Sequence, residues 1–210
     1  MPDIPEPTSI TINRAPVLTL WAAIVAERLG HDRDAALTLG RAVAGVNAQS
    51  KGRTLGLYEP PSAAEFGQRR RDAKRGETIE VELLGRTVRA KRMAEGLRAM
   101  ERGEPSSPEA VERYLESKFG DSLAAARAAM VTLAEASPPA ELAVNAFELY
   151  EAFRPEIPAG VRGWGAAGVL DLTRVRSLAK PGDTSRSNRT PDKPASARSP
   201  AARLRSERRA

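Results

Sequence analysis

The sequence predicts a mainly α protein, a single multi-helix domain over residues 13–178 with one β-hairpin at about 77–90 and a disordered C-terminal tail. Three observations lead there. Apolar residues recur at helical spacing along most of the chain. Aromatic residues make up only 4% of it, so the core must be built from Ala, Leu and Val, which suits close-packed helices better than a sandwich. After Lys180 no aromatic or β-branched apolar side chain remains, and such a segment cannot bury enough surface to offset its ordering entropy.

Residues 1–12, with Pro2, Pro5 and Pro7, read as a frayed leader. Asn13 is a helix cap, and Val17, Leu18, Trp21, Ile24, Val25 and Leu29 follow at helical spacing before Gly30. Asp32 starts a second helix through Leu37, Leu39, Val43 and Val46, whose pattern is lost near Asn47. Asn47–Pro61, with Gly52, Gly56 and two consecutive prolines, reads as a loop. Ser62 and Glu65 have capping-box spacing and predict a short third helix towards Gly76.

Ile79, Val81 and Leu83 alternate with Glu80 and Glu82, and Val88 returns between Thr87 and Arg89. This predicts a hairpin with Gly85-Arg86 as a type II′ turn. Helices are then expected over Lys91–Arg102, from a Ser107 cap with Pro108 towards Phe119, from Asp121 to about Ala136, and from Ser137-Pro138 through Phe153. Arg154–Gly168 reads as a long ordered loop, and Asp171 caps a last turn through Val175 and Leu178. Residues 179–210 form the basic Ser/Pro/Arg-rich tail.

Composition excludes several chemistries. The chain has no cysteine, which removes disulfides, thiolate nucleophiles and cysteine-ligated metals and suits a reducing compartment. His31 is the single histidine, so no multi-histidine metal site can form. Phosphate-loop and nucleophile-elbow motifs are missing. Gly163, Gly165 and Gly168 match G-x-G-x-x-G literally, but Pro155 and Pro158 stand where a strand should precede the motif, and no acidic residue follows at the required distance within the domain. No apolar run is long enough for a membrane span, and the acidic, proline-broken start has no secretory character. The expectation is a cytoplasmic protein without cofactor, metal or catalytic residues, and without a membrane partner.

The net charge of +6 is unevenly placed. From Ser177 onward nine basic residues face three acidic ones, so this segment alone carries the whole surplus. The preceding residues sum to zero, with a basic stretch over 51–102 and an acidic one over 103–176. The two stretches can bind each other, or the basic one can face a polyanion.

Val25, Ala26, Leu29 and Gly30, followed by Ala36 and Leu39, resemble the helix-turn-helix pattern, and a third helix plus hairpin extends the resemblance to the winged helix-turn-helix domains of DNA-binding regulators over about 75 residues. The resemblance implies that the second helix enters the major groove and that the hairpin touches the backbone. Two residues depart from the family pattern: His31 stands at a usually apolar position, and Asp32 and Asp34 would bring negative charge to phosphates. The alternative is ordinary packing of a buried helix against the hairpin.

The nucleic-acid-contacting residues expected from charge are Lys51, Arg53, Arg69, Arg70, Arg71, Lys74, Arg75, Arg86, Arg89 and Lys91. The same residues read otherwise as a solvated helix end and its neighbours. DNA or RNA is the expected partner, and a helical protein–protein module or homo-oligomer is the alternative.

Overall fold

The computed structural model describes residues 7–54, 78–161 and 165–180, the side chains of 51–54 excepted. In order these form β1 (Ser9–Asn13), α1 (Arg14–Arg28), α2 (Arg33–Thr54), β2 (Thr78–Leu83), β3 (Arg86–Met93), β4 (Gly96–Glu101), β5 (Glu104–Pro105), α3 (Pro108–Phe119), α4 (Leu123–Glu135), α5 (Pro139–Phe153), β6 (Ala167–Asp171) and α6 (Leu172–Leu178). A 3-10 turn over Gly120–Ser122 links α3 to α4.

α1 is the central element. Every residue from Pro16 to Ala26 is buried, because α2, α3, α4, α5 and β1 all pack on it. A helix apolar on all faces is the sequence pattern for such a place. It ends in a Schellman motif: the N–H groups of Gly30 and His31 donate to the carbonyls of Glu27 and Ala26, each at 3.0 Å, with Gly30 at φ 98°. Asp32 then caps α2, its Oδ1 accepting from the Ala35 N–H at 2.9 Å.

α1 and α2 approach closely at one glycine. A methyl group on Gly40 would lie 2.5 Å from the Thr19 carbonyl oxygen and 2.7 Å from the Ala23 nitrogen. Both are helix backbone and cannot swing aside.

The expected single hairpin is part of a four-stranded antiparallel sheet, β2-β3-β4-β5, and a second, two-stranded sheet pairs β1 with β6. The protein is therefore not a helical domain with one hairpin. Lys91–Arg102, expected as helix, completes β3 and forms β4, with Ala90 opposite Ala99 and Arg92 opposite Leu97. Its Lys, Arg, Met, Glu and Leu are good helix formers, but propensity differences amount to less than about 0.7 kcal/mol per residue. The ladder to β3 and the burial of Ala90 and Ala99 against α2 outweigh them.

The first turn also differs from expectation. Its central residues are Leu84 and Gly85, at φ 51° and 64°, the sign pattern of a type I′ turn, so that Val81 opposes Val88. A leucine in the left-handed region costs roughly 1–2 kcal/mol. Leu84 is 3% exposed, and burying a leucine side chain returns about as much.

The small sheet joins distant parts of the chain, placing Ile12 opposite Gly168. The expected leader is thus strand from Ser9 onward, and the expected loop before Asp171 ends in β6. α2 continues through Asn47 to Thr54, replacing the first part of the expected loop. The α3 cap is as expected, Ser107 Oγ accepting from the Ala110 N–H at 3.1 Å. So is the α6 cap, Asp171 Oδ1 accepting from the Thr173 and Arg174 N–H groups. α4 starts after the 3-10 turn rather than at Asp121. The expected third helix at 62–76, Trp164 and the tail from 181 lie outside the described residues.

Two contacts fasten the four-stranded sheet to α2. Thr38, fully buried, donates to the Ala35 carbonyl at 2.9 Å and accepts from the Ala99 N–H at 3.1 Å. Arg98, 8% exposed, donates to Asp34 at 2.9 Å and to the Leu97 carbonyl at 3.1 Å. On the other side of α1, Trp21 Nε1 donates to the Ala146 carbonyl at 2.8 Å, and its ring meets Phe153 edge-on at 5.3 Å. Tyr150 also meets Phe153 edge-on, at 5.9 Å, and its hydroxyl donates to the Arg14 carbonyl at 3.3 Å.

Three outcomes follow. Gly40→Ala destabilises the fold by about 1–3 kcal/mol or more through overpacking, whereas Gly45→Ala on the same helix, where an added methyl meets nothing within 4 Å, stabilises by about 0.5–1 kcal/mol; urea denaturation measures both. Thr38→Val leaves the Ala99 N–H without its acceptor and costs about 1–3 kcal/mol, with faster hydrogen exchange at Ala99. Burial pushes the Tyr150 hydroxyl up to about 12 from the ordinary 10. The folded chain then holds a proton that the unfolded chain gives up above pH 10, so stability declines as pH rises towards 12, on the order of 1 kcal/mol per pH unit. Tyr150→Phe removes that part of the decline in alkaline denaturation.

Candidate functional site

Side chains alternate between the two faces of a strand, and this divides the basic residues of the hairpin. Ile79, Val81 and Leu83 face inward together with Val88 and Ala90. Arg86 has the same parity as Val88 and turns the same way, onto Phe147 of α5, with its guanidinium carbon 4.8 Å from the ring centroid. Arg89 and Lys91 have the opposite parity and stand on the outer face, where Arg89 opposes Glu80 and Lys91 opposes Thr78. The described part of the expected cluster is thus divided between two faces.

The hairpin and its following strands are close to neutral as a whole. Over residues 78–105 six basic side chains accompany five acidic ones, and Glu80 and Glu82 lie across from Arg89 and its same-face neighbour Thr87 on the adjoining strand. Lys51 and Arg53 belong to the last turn of α2 rather than to a loop, and their side chains fall outside the described set. Arg69, Arg70, Arg71, Lys74 and Arg75 lie outside the described residues altogether.

The first half of α2 is committed to the fold. Ala35 through Gly40 are buried, as are Val43 and Ala44. The charged residues at its start are engaged by neighbours: Asp32 caps the helix, Arg33 pairs with Glu112 of α3, and Asp34 holds Arg98. Further along, Arg41 lies 4.4 Å from the ring centroid of Tyr114, whose hydroxyl burial pushes its pKa up, partly opposed by the Arg41 charge.

Other arginines of the described residues also have partners. Arg127 forks onto Glu27 at 2.7 and 2.9 Å, joining α4 to α1. Arg154 pairs with Glu151 at 2.5 Å. Arg14 donates to the Pro155 carbonyl at 3.0 Å. Arg174 pairs with Glu156 at 2.5 Å.

Arg86 differs. Its Nε is sealed from water with no hydrogen-bond partner, and its hydrogen bond is a long one, from Nη1 to the Gly85 carbonyl at 3.4 Å. Beside it opens a cleft of about 250 Å³ lined by Val46, Gln49, Ser50 and Arg86. Strand parity alone gives the inward turn of Arg86. No sequence signal singles out Val46, Gln49 or Phe147, which reach it only through tertiary packing, the first two from α2 and the third from α5.

The glycine motif before α6 has a structural use. Gly168 lies in β6, where a methyl group would come within 2.7 Å of the Glu156 carbonyl oxygen. It lets the Pro155–Glu156 backbone lie on the strand, where Glu156 and Val169 exchange hydrogen bonds at 2.9 and 3.0 Å. Among the described residues no group of three or more His, Asp or Glu side chains is placed to hold a metal ion, and no helix is long and apolar enough to cross a membrane. Comparison with protein-family models, with curated proteins and with solved structures returns no match to this chain, so its site is read from its own chemistry.

Proposed function

We propose that this chain is a non-enzymatic nucleic-acid-associated or regulatory protein, in which a near-neutral folded body carries basic segments that engage a polyanion. The observation that carries this reading is where the charge lies. The entire surplus of six positive charges falls after residue 176, and five more basic residues fall within 69–75. Contact is assigned to these segments and to Arg89 and Lys91 on the outer hairpin face. Insertion of α2 into a groove is not favoured, since base reading needs a free row of donors and the residues from Ala35 to Gly40 are buried.

Binding of this kind is electrostatic and independent of sequence. In fluorescence anisotropy with a labelled duplex, affinity is expected to fall about 10³–10⁵-fold between roughly 50 and 200 mM salt if six to ten phosphates are neutralised. Replacing Arg203, Arg205, Arg208 and Arg209 by Gln in the full chain lowers the log–log salt slope by about one per lost contact, and Arg70→Ala with Arg71→Ala lowers it further. Absence of binding to duplex and single-stranded DNA and RNA at the lower salt concentration defeats the reading.

One observation favours a second reading, self-association or a protein partner. On α5, Ala140, Ala143 and Val144 form an exposed apolar stripe, with Val144 81% exposed. Light scattering on the full chain should then show a dimer or larger species that Val144→Glu reduces to monomer, and a strict monomer at every concentration removes this reading.

A further inference from the structure

We infer that the cleft beside Arg86 binds a small oxyanion, a carboxylate or phosphate group presented by a compact molecule. The inference does not rest on the polyanion reading.

An arginine guanidinium carries five N–H donors and does not lose its charge. When it leaves water its donors need acceptors, and an unmet buried donor costs about 1–3 kcal/mol, more when charged. Arg33, Arg98, Arg127, Arg154 and Arg174 each meet a carboxylate among the described residues. Arg86 meets none. Its Nε is buried and unpartnered, and the single long bond to the Gly85 carbonyl leaves most of its donor capacity unused.

The surroundings suit an incoming anion. The guanidinium carbon lies 4.8 Å from the Phe147 ring centroid, a cation–π contact that limits the rotamer entropy lost when a ligand binds. β3 holds the backbone of Arg86 in register opposite Leu83, so the charge is carried on a rigid element rather than a loop. Gln49 supplies an amide at the cleft wall, and Val46 supplies an apolar surface for the body of the ligand. Among the described residues no Asp or Glu lines the cleft, so none of them sets a like charge against an anion. A two-oxygen group fits such a fork with two parallel N–H···O bonds.

The test uses the full chain with ¹⁵N-labelled arginine, and the readout is the Arg86 Nε–H resonance, identified by its loss in Arg86→Lys. Sodium phosphate and sodium acetate are titrated separately, each balanced with sodium chloride to constant ionic strength. The expected result is a saturable shift of that resonance with at least one of the two probes. Arg86→Gln abolishes saturable binding, followed by ³¹P or acetate methyl line width. Gln49→Ala, on the exposed side of α2, weakens binding by about tenfold, the worth of one charge-assisted contact. Tighter binding of phosphate assigns a phosphoryl ligand, and tighter binding of acetate a carboxylate. If neither probe moves the resonance more than chloride does, or if Arg86→Gln binds both as well as the parent chain, the inference is overturned. Because the parent titration decides the matter alone, poor folding of either variant does not protect it.

Discussion

The closest constraint in this protein is the contact of two helix backbones at Gly40. With Thr19 and Ala23 of α1 within methyl-clash distance of that position, the two helices approach more closely than any side chain would permit. Around this contact Ala22, Ala23, Ala26, Ala36 and Ala44 are all buried, so the interface is made of residues that lose almost no side-chain entropy on ordering. The larger side chains, Trp21, Leu18, Leu20 and Leu39, fill the space on either side. With so few aromatics, this part of the core is closed by bringing helix backbones together at Gly40.

The rest of the structure is arranged on this helix pair. The four-stranded sheet lies on α2 through small residues, Ala90 and Ala99, and through the Thr38 hydroxyl, which serves a strand N–H directly. Arg98 belongs to the same junction. Its partner Asp34 is half exposed, so the ion pair adds less stability than its distance suggests, and its larger effect is to satisfy a buried guanidinium. On the opposite side Trp21, Tyr150 and Phe153 form the one aromatic cluster of the described core, binding α5 to α1. The β1-β6 sheet then ties the start of the described chain to α6, with the Leu172 N–H donating to the Thr8 carbonyl at 2.9 Å.

Charge follows the same division. Among the described residues arginines serve as fasteners, paired with carboxylates or set over aromatic rings, and the outer sheet face mixes both signs. Along the sequence the whole positive surplus falls after residue 176. Arg86 stands apart within the described body, because it is turned inward with a buried Nε that has no hydrogen-bond partner.

By itself the sequence determined the elements that depend on local signals. The spacing of Val17, Trp21, Ile24 and Val25 marks α1, Gly30 and Asp32 mark the break between helices, and Ser107-Pro108 and Asp171 mark two later starts, since caps and periodicity act within a few residues. The alternation from Ile79 to Val88 also marked the β2-β3 pair, and the charge partition was legible in full. Tertiary structure decided whatever relies on partners far apart in the chain. Ser9–Asn13 becomes a strand only because Ala167–Asp171 lies beside it, and Lys91–Arg102 leaves helical conformation because β3 and α2 offer more than helix propensity does. The Arg86 cleft exists because α2 and β3 meet there. Local signals are limited by small per-residue energies, and a long-range contact that buries apolar surface or satisfies a backbone donor outweighs them.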